Sequence, residues 1–164
     1  MKLAENYKIV PICQDADLSS TVTCDSINMR DSLWATFIFI FGTLSGANST
    51  LTINSGVSVG ATTSALYFDY AYGGAALGTA TAGSTTSCDV LAAWTNAATL
   101  AIAHGTYDNF MLVVEVDAAK MDRENSEEWL TALFTTTDSV VGTVDGFAIL
   151  QPRYTSSRSK TALA

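Results

Sequence analysis

WATFIFIF, running from Trp34 to Phe41, carries a single hydroxyl and no charge, so it has to leave water. A membrane-spanning helix needs about 20 apolar residues, whereas this run stops at Gly42-Thr43 and is approached through polar Asp31 and Ser32. Its β-branched and aromatic content selects a buried strand. Alternate side chains of a strand point to opposite faces, which puts Phe37, Phe39 and Phe41 on one side and Trp34, Thr36, Ile38 and Ile40 on the other. A large apolar side chain gains roughly 2 kcal/mol on full burial, so both faces need a cover. The hydrophobic core covers one. A second layer or another subunit covers the other, which makes Ile38 and Ile40 candidate interface residues.

A chain of 164 residues suits one domain, and 48% hydrophobic residues suffice for a sizeable core. Only 15% of residues are charged while Thr, Ser, Ala and Gly are plentiful, the balance of short strands joined by small-residue turns. The formal net charge of -8 argues against phosphate binding, and no direct nucleic-acid partner is expected. No Lys or Arg lies between Arg30 and Lys120, whereas Arg153, Arg158 and Lys160 crowd the end. A basic tail after an acidic body is either a docking element for an acidic neighbour or a solvated, frayed terminus. Cys13, Cys24 and Cys88 have no CxxC spacing and no clustered histidine, so neither a zinc site nor a redox motif is indicated and the thiols are expected to be reduced and partly buried. The start MKLAENYKIV lacks an apolar signal core and no later run serves as a membrane anchor. Assembly in a reducing cytoplasm, with no membrane partner, is the expectation.

Along the chain, residues 1–6 read as a loose arm, residues 7–154 as one β-sandwich domain and residues 155–164 as a flexible tail. Tyr7 to Cys13 alternates as a strand that Pro11 confines to an edge. Thr21 to Asn28 reads as a second strand, Thr43 to Ser49 as a hairpin or short loop, and Thr50 to Val59 as a strand interrupted by a bulge or turn at Asn54-Ser55-Gly56. Ser64 to Tyr72 is the cleanest amphipathic strand. Gly73 to Ser87 is a long loop, followed by strands at Thr99 to Ala103 and Asn109 to Asp117. The stretch from Glu127 to Thr136 fits strand and short helix equally. A last strand, Gly146 to Tyr154, ends near Pro152. The whole predicts an all-β antiparallel β-sandwich or jelly-roll-like fold with long loops and flexible termini, with barrel closure left open.

No constellation of catalytic residues emerges, and no enzyme, cofactor or metal is expected. His104, the only histidine, has no nucleophile context and reads as a polar turn residue. Asp122, Glu124, Glu127 and Glu128 lack the alternate spacing of a calcium loop. Among the aromatic residues, Trp34 and Trp129 read as core, whereas Tyr67, Tyr72 and Trp94 are candidates for a stacking platform or a subunit interface.

KIVPI (Lys8 to Ile12), ATFIFIFGTLSG, FMLVVEVDAAKMD and FAILQPRY (Phe147 to Tyr154) together resemble the small structural proteins of tailed bacteriophages, and among them the head decoration, or cement, proteins. The resemblance implies a β-rich module, made in the host cytoplasm and bound to the virion's capsid exterior. It implies the major capsid protein and copies of itself, as a homo-dimer or homo-trimer, as partners, and no catalytic residues. A phage tail or baseplate subunit and a carbohydrate-binding β-sandwich are the alternative readings.

Overall fold

The computed structural model describes residues 3–79, 82–136, 139–154 and 161–163. The first strands in chain order are β1 (Lys8–Asp17), β2 (Val22–Thr23), β3 (Ile27–Asn28), β4 (Ser32–Phe41), β5 (Ser45–Gly46), β6 (Ser49–Gly56) and β7 (Ser64–Ala65). They are followed by β8 (Phe68–Tyr72), β9 (Thr95–Ala97), β10 (Leu100–Ile102), β11 (Met111–Asp117), β12 (Trp129–Thr136), β13 (Val140–Val141) and β14 (Thr143–Pro152). Among the described residues helix is confined to α1 (Leu3–Asn6), α2 (His104–Tyr107) and one 3-10 turn, Ala118–Lys120.

A six-stranded sheet runs β1-β14-β4-β11-β8-β9, and a second sheet runs β10-β6-β12-β2, with β3 also on β12 and β7 on β6. All pairings are antiparallel. The architecture is an all-β sandwich with open edges, not a barrel.

The phenylalanine face of β4 is the reason the two sheets meet. Phe37, Phe39 and Phe41 are all but fully buried. Phe134 of β12 reaches across to meet Phe39 edge-on at 5.1 Å and Phe41 at 6.1 Å. Leu112, Val114 and Val116 from β11 and Leu51, Ile53 and Leu130 from the second sheet complete the layer, all fully buried. Pro11 falls on the edge strand of the large sheet, where its missing N–H costs no central ladder bond.

Several expectations are corrected. Thr21 to Asn28 is two short strands, because Asp25 between them turns its N–H away from β12 and donates to the Ile12 carbonyl at 2.9 Å. Ser64 to Tyr72 is also two strands: β7 belongs to the second sheet and β8 to the large one. The chain crosses between sheets at buried Leu66 and exposed Tyr67, and alternation continues through the crossing. Thr43 to Ser49 is no hairpin, since β4 and β6 lie in different sheets; it holds β5, which pairs with β13. Strand β6 ends at Gly56, where a Cβ would stand 2.4 Å from the Ala61 Cβ, so the chain folds back and leaves Val57 and Val59 exposed. The stretch from Glu127 to Thr136, open between strand and helix, is strand from Trp129 onward: Leu130, Ala132 and Phe134 take the buried side with a period of two. Trp34 and Trp129 are half-buried and do not enter the core.

Of the expected arm and tail, residues 1–2, 155–160 and 164 lie outside the described residues. Leu3–Asn6 forms one exposed helical turn. At the other end Ala162 is buried and its carbonyl accepts from the Asn28 N–H at 2.8 Å, while Leu163 packs on the core. These two apolar side chains give the chain end something to bury.

Candidate interaction surface

The outer face of the large sheet is built by three strands that are apolar on both sides. Because β4 pairs with β14 on one flank and β11 on the other, Ile38 stands beside Phe147 and Val113. The same row continues to Pro11 of β1 and Ala71 of β8. An apolar band thus crosses five strands, flanked by Ile40 and Met111 on one side and by Ile9 and Ile149 on the other. Ile9 is 47% exposed, Pro11 is exposed, and Ile38, Ile40, Phe147, Ile149 and Met111 are half-buried. Cross-strand neighbours account for that partial burial. At the β11 and β8 end of the row Val113 and Ala71 are buried, so the exposed part of the band lies on β1, β14 and β4.

The back of the second sheet is different. There Thr52, Thr50 and Thr135 alternate with buried Ile53, Leu51 and Phe134, so this face is mostly hydroxyl. Water serves such a face, and a contiguous apolar one marks a contact with another molecule.

Carboxylates border the band. Asp145 pairs with Ile40 and accepts the Asp15 N–H at 2.7 Å, and Glu115 stands between Thr36 and Asp69. Burial first, and then the charge of Asp69, raises the Glu115 pKa above its ordinary value, against a lowering hydrogen bond with Thr36. Lys120 meets Asp69 at 3.5 Å.

The sequence candidates distribute as follows. Ile38 and Ile40 lie in the band. Trp94, 47% exposed, precedes Thr95, which pairs with Tyr70, and so stands at the β8 and β9 end of the same sheet. Tyr67 is 62% exposed but precedes Phe68 at the far end of that ladder, roughly 13 Å from Trp94 at about 3.3 Å per residue. Tyr72 is turned the other way, edge-on to Tyr107 at 5.5 Å. Tyr67, Tyr72 and Trp94 therefore do not assemble into one platform. Arg153 is exposed, its N–H donating to the Asp31 carbonyl at 2.6 Å; Arg158 and Lys160 lie outside the described residues. Sequence reasoning missed Ile9, Pro11, Phe147 and Ile149 as parts of the face. The available signal was apolar residues of both parities in Phe147 to Leu150.

His104 is an exposed first residue of α2. Of the acidic loop, Asp122 receives the Asn125 side chain at 2.6 Å and Glu127 is buried against Ser55 and Ser64. Among the described residues no group of three His, Cys, Asp or Glu side chains gathers at metal-binding distance, and no helix is long and apolar enough to cross a membrane.

Fold and surface together define a β-sandwich with one apolar outer face. Comparison with protein-family models, curated proteins and solved structures gives no match.

Proposed function

We propose that this chain is a structural binding module that docks through the outer face of its large sheet, and that its role is to decorate an assembled viral capsid and reinforce contacts between major capsid subunits. The observation that carries the reading is the apolar patch of Ile9, Pro11, Phe147, Ile149, Ile38 and Ile40, exposed or half-buried on the β1, β14 and β4 part of that face. The resemblance of KIVPI, ATFIFIFGTLSG and FAILQPRY to phage head decoration proteins supplies the capsid as partner and the virion exterior as location. Asp145, Glu115 and Asp69 on the same face repel a second copy placed face to face, so the favoured partner surface is apolar with Lys or Arg around it. Copies of this chain then meet through other surfaces. Repetition over a shell turns modest single contacts into firm attachment.

The test is co-sedimentation of purified protein with undecorated capsid shells, followed by thermal disruption of the shells. Wild type sediments with the shells and raises their disruption temperature. Ile38→Asp melts as a folded protein yet binds at least about tenfold more weakly, the scale of a central interface residue. Thr135→Asp, on the hydroxyl face, binds as wild type. Equal binding by Ile38→Asp refutes the face, and absence of wild-type binding refutes the capsid.

A further inference from the structure

Strand β1 is irregular on both sides of Cys13, with register shifts between Pro11 and Cys13 and again between Cys13 and Ala16. A bulge of this kind re-aims a side chain. Here it sends the Cys13 sulfur over Gly146, where a Cβ would stand only 2.9 Å from Sγ, so the glycine provides the space it occupies. Cys24 arrives from the other sheet. Its N–H donates to the Ala132 carbonyl of β12 at 3.0 Å, while the next N–H, that of Asp25, donates to Ile12 at 2.9 Å. Cys13 and Cys24 are the neighbours of that clamped pair, and each is the largest influence on the other's thiol pKa. The Asp25-to-Ile12 bond brings into direct contact the two backbones that carry the thiols, the closeness that a disulfide's Cα span of roughly 4.4–6.8 Å requires.

We infer that Cys13 and Cys24 are a disulfide-forming pair that, on oxidation, staples the edge strand of the large sheet to the β2 and β3 crossing of the second. The inference is independent of how the outer face is used. Cys13 is the half-buried member and Cys24 the buried one, which assigns their order of reaction. The S–H of Cys24 supports a thiolate at Cys13 and lowers its pKa, while the same contact and burial raise that of Cys24. The oxidant is a small-molecule disulfide. Cys13 thiolate attacks one of its sulfurs, forming a mixed disulfide and expelling one thiolate, which takes up a proton. Cys24 then gives its proton to water and attacks Cys13 Sγ, expelling the second thiolate. Two protein thiols are oxidised and one disulfide is reduced to two thiols. In a reducing compartment the pair stays open, and in an oxidising one it closes.

The full-length protein is incubated natively with oxidised glutathione, quenched in acid, and alkylated in denaturant. Alkylatable thiols fall from three to one, Cys88. Cleavage before Asp15 or Asp17, both between the two cysteines, leaves fragments joined until reduced. The melting temperature rises by about 5–10 °C, as expected for closing a short loop in a domain of this size. Cys88→Ser still closes, and Cys24→Ser stops at the glutathione adduct of Cys13. Three alkylatable thiols, a wild-type adduct that never resolves, or a bridge to Cys88 overturns the inference.

Discussion

Phe39 and Phe134 meet edge to face, centroids 5.1 Å apart and planes at 88°, and this contact joins the centre of the large sheet to the centre of the second. Both rings are fully buried. Truncation of either leaves a cavity between two layers whose strands cannot close on it. Phe39→Ala is expected to cost about 3–5 kcal/mol in denaturant unfolding. A double-mutant cycle with Phe134→Leu should return a coupling of about 0.5–1.5 kcal/mol for the ring pair; additive losses would show that the rings merely fill space.

Gly146 is the second point where the layers are tight. A Cβ there would lie 2.9 Å from Cys13 Sγ and 3.0 Å from Phe39 Cδ1. Gly146→Ala should destabilise by about 1–3 kcal/mol through overpacking. Adding Cys13→Ala removes one of the two obstacles and should recover part of the loss, measured by thermal unfolding under reducing conditions. No recovery would place the whole strain on the Phe39 ring.

The parts of this fold that are legible in the sequence are those set by local alternation. WATFIFIF shows a strand with two apolar faces, and Pro11 shows an edge, because both follow from what one strand can do with its own side chains. Alternation carries no record of which sheet a residue belongs to. It runs unbroken through Leu66 and Tyr67, where the chain changes sheets, and it cannot tell that Phe147 and Ile38 stand side by side. The register that assembles the outer band is a long-range pairing, as is the bulge that turns Cys13 toward Cys24. Tyr67 and Tyr72 differ in parity, so their separation onto opposite faces was open to the period-two argument.

Glu127 is a charged group with almost no exposure, 2%. Its carboxylate accepts from the Ser55 hydroxyl on one oxygen and from the Ser64 hydroxyl at 2.9 Å on the other, tying the start of β12 to β6 and β7. Glu127→Ala leaves buried hydroxyls without their acceptor and should cost about 2–3 kcal/mol. Glu127→Gln keeps the shape and one acceptor, and should cost less. Equal losses for the two variants in urea melts would mean that packing, not the carboxylate, holds the corner.

Glu115 links stability to the binding face. Burial, and then Asp69, holds its pKa above the ordinary carboxylate range, so the folded chain binds its proton more tightly than the unfolded chain does. At neutral pH both states are ionised and the folded state carries the penalty; as pH falls through the raised pKa the penalty shrinks, and below the unfolded value near 4.5 it is gone. Glu115→Gln should therefore raise the melting temperature at pH 7 by on the order of 1 °C, small because solvent screens a partly exposed group, and the gain should vanish below about pH 4. Thermal melts of both proteins across that range check the sign, and parallel curves would remove Glu115 as the cause. The same substitution should weaken docking on a basic-rimmed partner, since it deletes a charge that the partner would neutralise. A free protein made more stable and a bound one made looser is the signature of a carboxylate kept on this face for a partner.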